Sequence, residues 1–571
     1  MKILSLHVDY IKFRPLKKAL KSIPNLEEKD KSEKNVKDAL AILASVEKSD
    51  SDVDSVVKKL VSEVKEIAKQ VKTKNIVLYP YAHLSKNLAS PEIAMEVLDK
   101  AEKMLEKEKF SVSRAPFGYY KEFELKVKGH PLAELSREIN SEGNIAKTEE
   151  KFDSKKLLRE ISKSKLDTSK LKDNDHRIVG QQMDLFSFNE VAPGMVFWHN
   201  NGMIIRNELI NFWREIHRES GYKEILTPQM MDSKLWKISG HWEKYKENNF
   251  VSEYEGRPFL LKPMNCPGGM IVYKANPKSY KDLPLRVSEM GIVHRVELSG
   301  VLSGLFRLIQ FTQDDAHIFC ADEKQVKDEI KGIVELINFF YKRFNLEFDH
   351  VELSTRPEKR IGTDKMWDNA EKILEDTLKN LKVKYKINKG DGAFYGPKID
   401  FHVKDSLNRT WQVSTIQLDF SMPERFELEY TDKNNKRKMP LMLHRVIYGS
   451  LERFIGILLE HSNGRLPTWL APIQMRVLSF TDRNVNHSKK IIEKLGKEIP
   501  NLRIDADFRN TTMQGKVKDA ELMRIPYIIV IGDKEEKENA LAVRVRGDKK
   551  IQTFKVEDFI KKIKEEIEER K

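Results

Sequence analysis

Three residues far apart in the chain most constrain what it can fold into: Cys266 in KPMNCPGG, His317 in FTQDDAHIF and His444 in PLMLHRVIYGSLERF. One thiolate and two imidazoles make an incomplete zinc shell. A structural zinc is normally held by four protein ligands, whereas three leave a position open for water or substrate. The separations are too long for a zinc finger. A shared ion would require the fold to bring three distant strings to one point.

At 571 residues and 66.6 kDa the chain is long enough for several domains. Its hydrophobic fraction of 40% and charged fraction of 33% suit soluble, globular folds, and no apolar run has the length of a membrane span. The opening MKILSLHVDY, interrupted by His7 and Asp9, reads as an alternating strand and not as a secretory signal. The only cysteines are Cys266 and Cys320, which excludes a disulfide framework and points to a reducing, cytoplasmic setting. The net charge of +14 fits a polyanionic partner such as nucleic acid, and equally a lysine-rich composition.

Four regions separate along the chain. Residues 1–145 hold strand-like runs (1–8, 75–79 and 122–128) and helices. One helix should start at Ser90-Pro91-Glu92, where serine caps, proline fits the first turn and glutamate meets the positive end. Residues 146–175 are rich in Lys, Glu, Asp and Ser and read as a charged linker, with a helical turn around 157–161. Residues 176–471 are the aromatic, motif-rich centre. Residues 472–571 alternate strands (475–480, 502–508, 527–531 and 540–546) with helices, as in a small α/β domain, and end in a charged amphipathic helix.

In the centre, 202–220 reads as a long helix, followed by a strand at 223–226 that Thr227-Pro228 ends. RVSEMGIVHRVELSG and GLFRLIQFTQDDAHIF then form a strand, a loop and a second strand, with Arg295 and Arg307 at the facing ends. Arg453 falls in the first turns of a glycine-led helix, GSLERFIGILLE. The planar fork of arginine matches phosphate oxygens, and fixed cations stabilise charge that builds on a reacting phosphate. A single arginine is more often a surface ion pair; three in this order suit a nucleoside triphosphate.

Pro228 after a long helix, Arg295 with Glu297, and Gly449 followed by Glu452-Arg453 resemble motifs 1, 2 and 3 of class II aminoacyl-tRNA synthetases. The strings KPMNCPG, FTQDDAHIF, GAFYGPKIDF, TIQLDFSMPERF and LHRVIYGSLERFIGILLE narrow the resemblance to threonyl-tRNA synthetases. The resemblance implies an α/β and α+β multidomain fold with an antiparallel-sheet catalytic core, a homodimer built on motif 1, one Zn2+ per subunit and Mg2+ with ATP. It maps the zinc ligands onto Cys266, His317 and His444. It places Gln313, Asp315, Tyr395 and Gln417 around threonine, and Arg295, Glu297, Arg307, Gln412 and Arg453 around ATP. Lys398 would lie near the reaction centre and His241 would assist transfer to tRNA. An open metal position suits threonine, because an apolar pocket alone separates it poorly from valine, which has nearly the same shape but no hydroxyl. The chain departs from the family's usual residues at Gly269, Val296, Leu298 and Ile309, which bears on the fine geometry of the pocket.

Serine shares the amino and hydroxyl groups of threonine and lacks only a methyl, worth roughly 1–3 kcal/mol, so a hydrolytic second site is expected. VLYPYAHLSKNLASPEIA and RAPFGYYKEFELKVKGHPLAELSR resemble the editing domain of archaeal-type threonyl-tRNA synthetases, a relative of D-aminoacyl-tRNA deacylases. By that resemblance His83, Tyr120, Lys121 and Glu134 line the editing pocket. The last region resembles the anticodon-binding domain of class II synthetases, with Asn510, Arg524, Glu535 and Arg544 near the anticodon of tRNA(Thr). Three other readings remain open on sequence: a prolyl or seryl class II enzyme, a catalytically silent tRNA-binding or amino-acid-sensing paralogue, and a chain whose editing module is degenerate.

Overall fold

The N-terminal architecture is set by an apolar run, residues 39–44, that no polar residue interrupts. The computed structural model describes every residue except 21–22, 49, 51, 86, 140–153, 162–168, 170, 245–248, 406–407, 549 and 571. Its described residues form two compact units, Met1–Ser154 and Lys155–Lys571.

In the first unit β1 (Lys2–Lys18) and β2 (Lys34–Ser45) form a long antiparallel ladder. β3 (Asn75–Pro80) lies parallel to β2, and β4 (Ser111–Arg114) parallel to β3. β5 (Tyr119–Val127) and β6 (Glu134–Glu138) both pair antiparallel with β1. The run sits in β2, the strand between β1 and β3. Leu40 and Ile42 pack with Leu60 and Val64 of α1 (Val53–Val71) and Val97 and Leu98 of α2 (Pro91–Lys107). Ala39, Ala41 and Leu43 enter a second core with Val8, Phe13 and Tyr79 on the other face. A strand buried on both faces has no reason to alternate. As expected, Ser90 caps α2, accepting from the Ile93 amide.

Most of the 146–175 linker lies outside the described residues; within it α3 (Ser154–Ile161) is helical, where the turn was expected. α4 (His176–Gln182) opens the central region, with Asp175 accepting from the Arg177 amide. α5 (Asn200–Glu219) is the expected long helix and buries Leu209, Phe212 and Trp213. The strand after it, β7 (Lys223–Glu224), is shorter than the 223–226 expected, and Leu226 is 77% exposed. Pro228, just beyond, has no amide to donate to a ladder.

The central sheet has eight strands. β8 (Leu285–His294) and β9 (Gln310–Cys320) form the anticipated hairpin. β10 (Phe348–Ser354), β11 (Lys386–Asn388), β12 (Lys398–Lys404), β13 (Thr410–Asp419) and β14 (Leu441–Val446) complete it. The order is β11-β10-β12-β13-β14-β9-β8-β7, antiparallel throughout except for the parallel pair at each edge.

The last region has its own five-stranded sheet: β15 (Met475–Ser479), β16 (Ile504–Asp507), β17 (Tyr527–Ile531), β18 (Ala540–Val545) and β19 (Ile551–Lys555), in the order β16-β15-β17-β18-β19. Along β17, Tyr527, Ile529 and Ile531 enter one core while Ile528 and Val530 face another. β19 is absent from the sequence expectation. The closing helix is Val556–Glu568. Arg503 donates to Glu208 of α5 at 3.1 Å and to the Ala471 carbonyl at 2.9 Å, tying this sheet to the central region. Among the described residues no helix is long and apolar enough to cross a membrane.

Gly202 fixes how α5 starts: a Cβ there would stand 2.0 Å from the Leu185 carbonyl oxygen. Backbone must move to admit it, and overpacking of this kind costs ~1–3 kcal/mol. Gly202→Ala is therefore expected to lower the denaturation midpoint of the central region, followed by tryptophan fluorescence. A wild-type midpoint would contradict this packing.

Candidate active site

The antiparallel register lines up the chemistry. His317 on β9 faces His444 on β14, which faces Gln417 on β13, which faces Lys398 on β12. Side chains alternate along a strand, so Gln313, Asp315 and His317 share one face and Asp314 and Ala316 the other. Cys266 reaches this face from the first turn of α6 (Cys266–Lys274). One donor atom each from Cys266, His317 and His444 lie within 4.8 Å of one another, and all three residues are buried.

The donor set fits zinc. It joins a sulfur to two imidazoles, and His317 Nε2 is buried with no hydrogen-bond partner among the described residues. His444 Nε2 bonds Asp419 Oδ2 at 2.8 Å, the carboxylate–histidine contact that fixes a ligand ring's orientation. Asp419 is itself held by the Ser421 and Met422 amides, at 2.7 and 2.9 Å. Burial pushes the Cys266 thiol well above its ordinary range, helped by Asp315 and Asp419, so ionising it calls for a cation. Burial also lowers His317 to about 4, keeping its ring neutral and able to ligate. A Cβ on Gly269 would lie 3.4 Å from His317 Nδ1, so this departure leaves the ring in place with space beside it.

Beside the cluster a cavity of about 310 Å³ is lined by Cys266, His444, Asp315, Gln313, Tyr395 and Gln417, and by Arg295, Gln412 and Arg453. Cys266 and His444 of the cluster thus open onto the same cavity as the two arginines. Arg295 follows β8; its Nε donates to the Pro263 carbonyl at 3.1 Å and its guanidinium lies 5.2 Å over the Phe311 ring. Arg453 lies in the first turn of α7 (Leu451–Ser462), where Ser450 caps its amide. Its Nε donates to the Phe306 carbonyl at 3.0 Å. Burial lowers its pKa, with further lowering from Arg307 and Arg295, which places all three guanidiniums in one field. Arg307 is half exposed outside this lining and pairs with Glu297 at 3.0 Å. Of the other departures, Leu298 is 78% exposed, and Ile309 is buried with its amide on the Gly194 carbonyl.

Lys398 is not part of the lining. Its Nζ bonds Asp400 at 2.7 Å and Asp391 at 2.9 Å. Asp400 also accepts from Gln412 at 2.5 Å and Thr415 at 2.8 Å, so it links Lys398 to the cavity wall. His241 starts the short helix His241–Lys244, fully buried, with Nδ1 on Ser239 Oγ at 2.8 Å and its ring against Phe394 and Tyr395. Burial drives it to about 3, far below the ordinary imidazole value. In this arrangement it is a neutral hydrogen-bonding group.

Sequence reasoning missed three carboxylates: Asp419, Asp400 and Asp314. Asp314 points to the back of the sheet, where it accepts from the amides of Ile447, Tyr448 and Gly449 at 2.8, 3.0 and 2.9 Å. Burial pushes its carboxyl up to about 6, opposed by Arg445 and the three amides. The DD pair at 314–315 was the available signal, since neighbours on a strand must face opposite ways.

In the first unit a cavity of about 600 Å³ is lined by Tyr81, His83, Tyr120 and Lys121 among apolar residues. Lys121 Nζ donates to the Pro116 and Tyr119 carbonyls at 2.9 and 3.1 Å and lies over the Tyr79 ring. Burial lowers it to about 8. Glu134, expected here, is exposed on β6 opposite Leu6 and does not line this cavity. In the last region Arg524 and Arg544 line a cavity of about 500 Å³, whereas Asn510 and Glu535 do not. Arg524 Nη2 donates to Gln182 at 2.8 Å and Nε to the Asn463 carbonyl at 3.2 Å, so it also braces the catalytic region. Glu535 accepts from the Gly532 amide of its own helix.

Residues 1–139 match the Archaea-specific editing domain of threonyl-tRNA synthetase. Residues 249–462 match the class II tRNA synthetase core domain of the G, H, P, S and T enzymes, and 471–566 the anticodon binding domain. The antiparallel sheet and the matched core define a class II aminoacyl-tRNA synthetase fold with an anticodon-binding domain. Among solved structures, the RNA binding domain of threonyl-tRNA synthetase from Cryptosporidium parvum is 37% identical. That match has a TM-score of 0.66 and covers 68% of this chain and 98% of that one. A putative threonyl-tRNA synthetase from Aeropyrum pernix is 27% identical with a TM-score of 0.60, over 70% of this chain and 96% of that one. The chain belongs to the threonyl-tRNA synthetase family. A threonine–tRNA ligase from Caldanaerobacter subterraneus is 52% identical over 396 residues, 69% of this chain. One from Desulforamulus reducens is 51% identical over 398 residues, 70% of this chain. The match spans 61% and 62% of the length of these two relatives.

Asp314→Ala would leave three buried amides without an acceptor. An unmet buried donor costs ~1–3 kcal/mol, so the variant is expected to lose at least about 2 kcal/mol in urea unfolding. Unchanged stability would show that these amides find other partners.

Proposed function

We propose that the chain is a threonine–tRNA ligase. It would join threonine to ATP, forming threonyl adenylate and diphosphate, and then esterify the 3′-terminal adenosine of tRNA(Thr). Its N-terminal domain would hydrolyse Ser-tRNA(Thr) made in error. The observation that carries this reading is the cluster of Cys266, His317 and His444, two of whose members, Cys266 and His444, line the same cavity as Arg295 and Arg453, in a chain of this family.

Cys266, His317 and His444 would hold one Zn2+ per subunit. When bound, the ion supplies a Lewis acid with an open position suited to an amino group and a hydroxyl. Asp315 would hold the substrate ammonium by a charge-assisted bond, with Gln313, Tyr395 and Gln417 enclosing the side chain. Arg295 and Arg453 would grip the phosphates of ATP, which Mg2+ accompanies, and Arg307 would close on the outer phosphates from the rim. Their planar donors are already fixed by backbone carbonyls, so little reorganisation is needed as charge builds on the α-phosphate. Glu297, now paired with Arg307, would turn to the adenine. Lys398 would act through Asp400 and Gln412. His241 would serve tRNA as a neutral hydrogen-bonding group.

Metal content with pyrophosphate exchange tests this. We expect bound zinc, exchange with threonine, weaker exchange with serine and essentially none with valine. Cys266→Ser is expected to lose the zinc held by this cluster and the exchange together. Equal use of valine would overturn the metal-based choice of substrate.

For hydrolytic editing, His83, Tyr120 and Lys121 would form the pocket, with the Lys121 ammonium stabilising the oxyanion of the ester. A base whose folded value is depressed to about 8 loses its charge as pH rises through that value. Between there and the ordinary lysine value the unfolded chain binds more protons, so the stability of this unit rises with pH. Catalysed deacylation of Ser-tRNA(Thr), corrected for spontaneous hydrolysis, is expected to fall above about pH 8. In Lys121→Arg the fall should move to higher pH. A falling limb that stays in place would remove Lys121 from this role.

Partner contacts follow the same reading. Arg524 and Arg544 would meet unstacked anticodon bases, with Asn510 and Glu535 at the margin. β7 at the sheet edge and the exposed Leu226 beside it would form a homodimer interface. The two cysteines, both free and buried, accord with a reducing cytoplasm.

A further inference from the structure

A second cluster of metal-binding side chains lies on the same sheet, away from the first. His350 and Glu352 are on β10 and His402 is on β12, directly opposite His350 in the antiparallel register. One donor atom from each lies within 4.8 Å of the other two. His350 Nε2 is 3.2 Å from Glu352 Oε1, and His402 Nε2 is 3.6 Å from Glu352 Oε2. Bonds of about 2.0–2.2 Å to one ion would place neighbouring donors roughly 3–3.5 Å apart, so these gaps are near what a shared cation needs.

Three further features point to a cation. His402 Nε2 is buried and has no hydrogen-bond partner among the described residues, since 3.6 Å is too long for one. His350 Nδ1 bonds Asp349 Oδ2 at 2.6 Å, and Asp349 in turn pairs with Lys404 at 2.7 Å. A carboxylate on the far nitrogen is what orients a ligating imidazole. Asn388 donates to Glu352 Oε2 at 2.9 Å, holding that carboxylate in place.

A third cluster, Asp175, His176 and Glu460, shows the contrast. There His176, its one imidazole, has Nδ1 bonded to Glu460 at 2.8 Å and Nε2 accepting from the Leu305 amide at 3.0 Å, so no ring nitrogen is left over; in the second cluster His350 is also bonded on both sides, Nε2 to Glu352 at 3.2 Å, and the nitrogen left over is His402 Nε2.

We propose that His350, Glu352 and His402 form a second site for a divalent transition-metal cation, distinct from the thiolate-bearing cluster. Two imidazoles and one carboxylate suit zinc and its neighbours and leave positions for water. The two rings lie stacked, 4.5 Å between centroids and 8° between planes. Binding turns them toward a common point about χ2, a soft torsion for histidine. The ion would clasp β10 to β12. Ser354 and Lys398 are opposed at the other end of that ladder, so the clasp would steady the strand that carries Lys398 and Asp400.

Titration of untagged, metal-stripped protein with Zn2+ and with Co2+ at neutral pH tests this. Wild type is expected to take two equivalents per chain, and His402→Ala and Glu352→Gln one each. Cys266→Ser is expected to keep one equivalent of cobalt whose d–d absorption lacks a thiolate-to-cobalt charge-transfer band. One equivalent in wild type, or two in a folded His402→Ala variant, would overturn the proposal, and so would no cobalt in folded Cys266→Ser. His402→Ala leaves every residue of the first cluster intact, so its stoichiometry reads the second site whether or not the chain is a ligase.

Discussion

One buried carboxylate holds the active-site face of the central sheet together from behind. Asp314 receives three consecutive amides at the turn between β14 and α7. Charge-assisted bonds of this kind are among the stronger ones a protein makes, and an unmet amide in the interior is costly. Arg445, also fully buried, lies beside Asp314 and offsets its charge. The turn cannot relax by another route, because Gly449 has φ 79° and a Cβ there would stand 2.3 Å from the Val413 carbonyl oxygen. His444 just before the turn and Arg453 just after it are thereby fixed relative to Asp315 and His317.

The same division recurs elsewhere in the sheet. Residues facing the cavity carry donors and charge, and buried carboxylates beside or behind them do the positioning. Asp419 steadies His444, and Asp400 gathers Lys398, Gln412 and Thr415. Glu452, on the helix that presents Arg453, accepts from both the amide and the hydroxyl of Thr312. Such groups hold the cavity side chains in place from beside or behind.

Much of the cavity's lining was legible because its residues sit in strings that resemble a known family's motifs, and the strand shows why they converge. Gln313, Asp315 and His317 alternate, and a β-strand turns that alternation into one face. The anchoring carboxylates were hidden because their partners are backbone amides or side chains distant in sequence, which no local pattern reveals. His241 illustrates a different limit: the resemblance gave it a part in transfer to tRNA, but its protonation is set by burial, which only the fold supplies. Glu134 and Asn510 were carried by resemblance alone, and neither lines the cavity with its companions. The second strand of the N-terminal sheet escaped notice since an uninterrupted apolar run has no period to read. The short edge strand Ile551–Lys555, alternating exposed and half-buried, offered little apolar signal at all.

Aligning His317, His444, Gln417 and Lys398 across four neighbouring strands makes the sheet behave like a combination lock. Inserting or deleting one residue within any of these strands would send half its side chains through to the opposite surface, trading chemistry for packing in a single step. Changes in chain length are thus confined to the connections, where they leave the tumblers aligned.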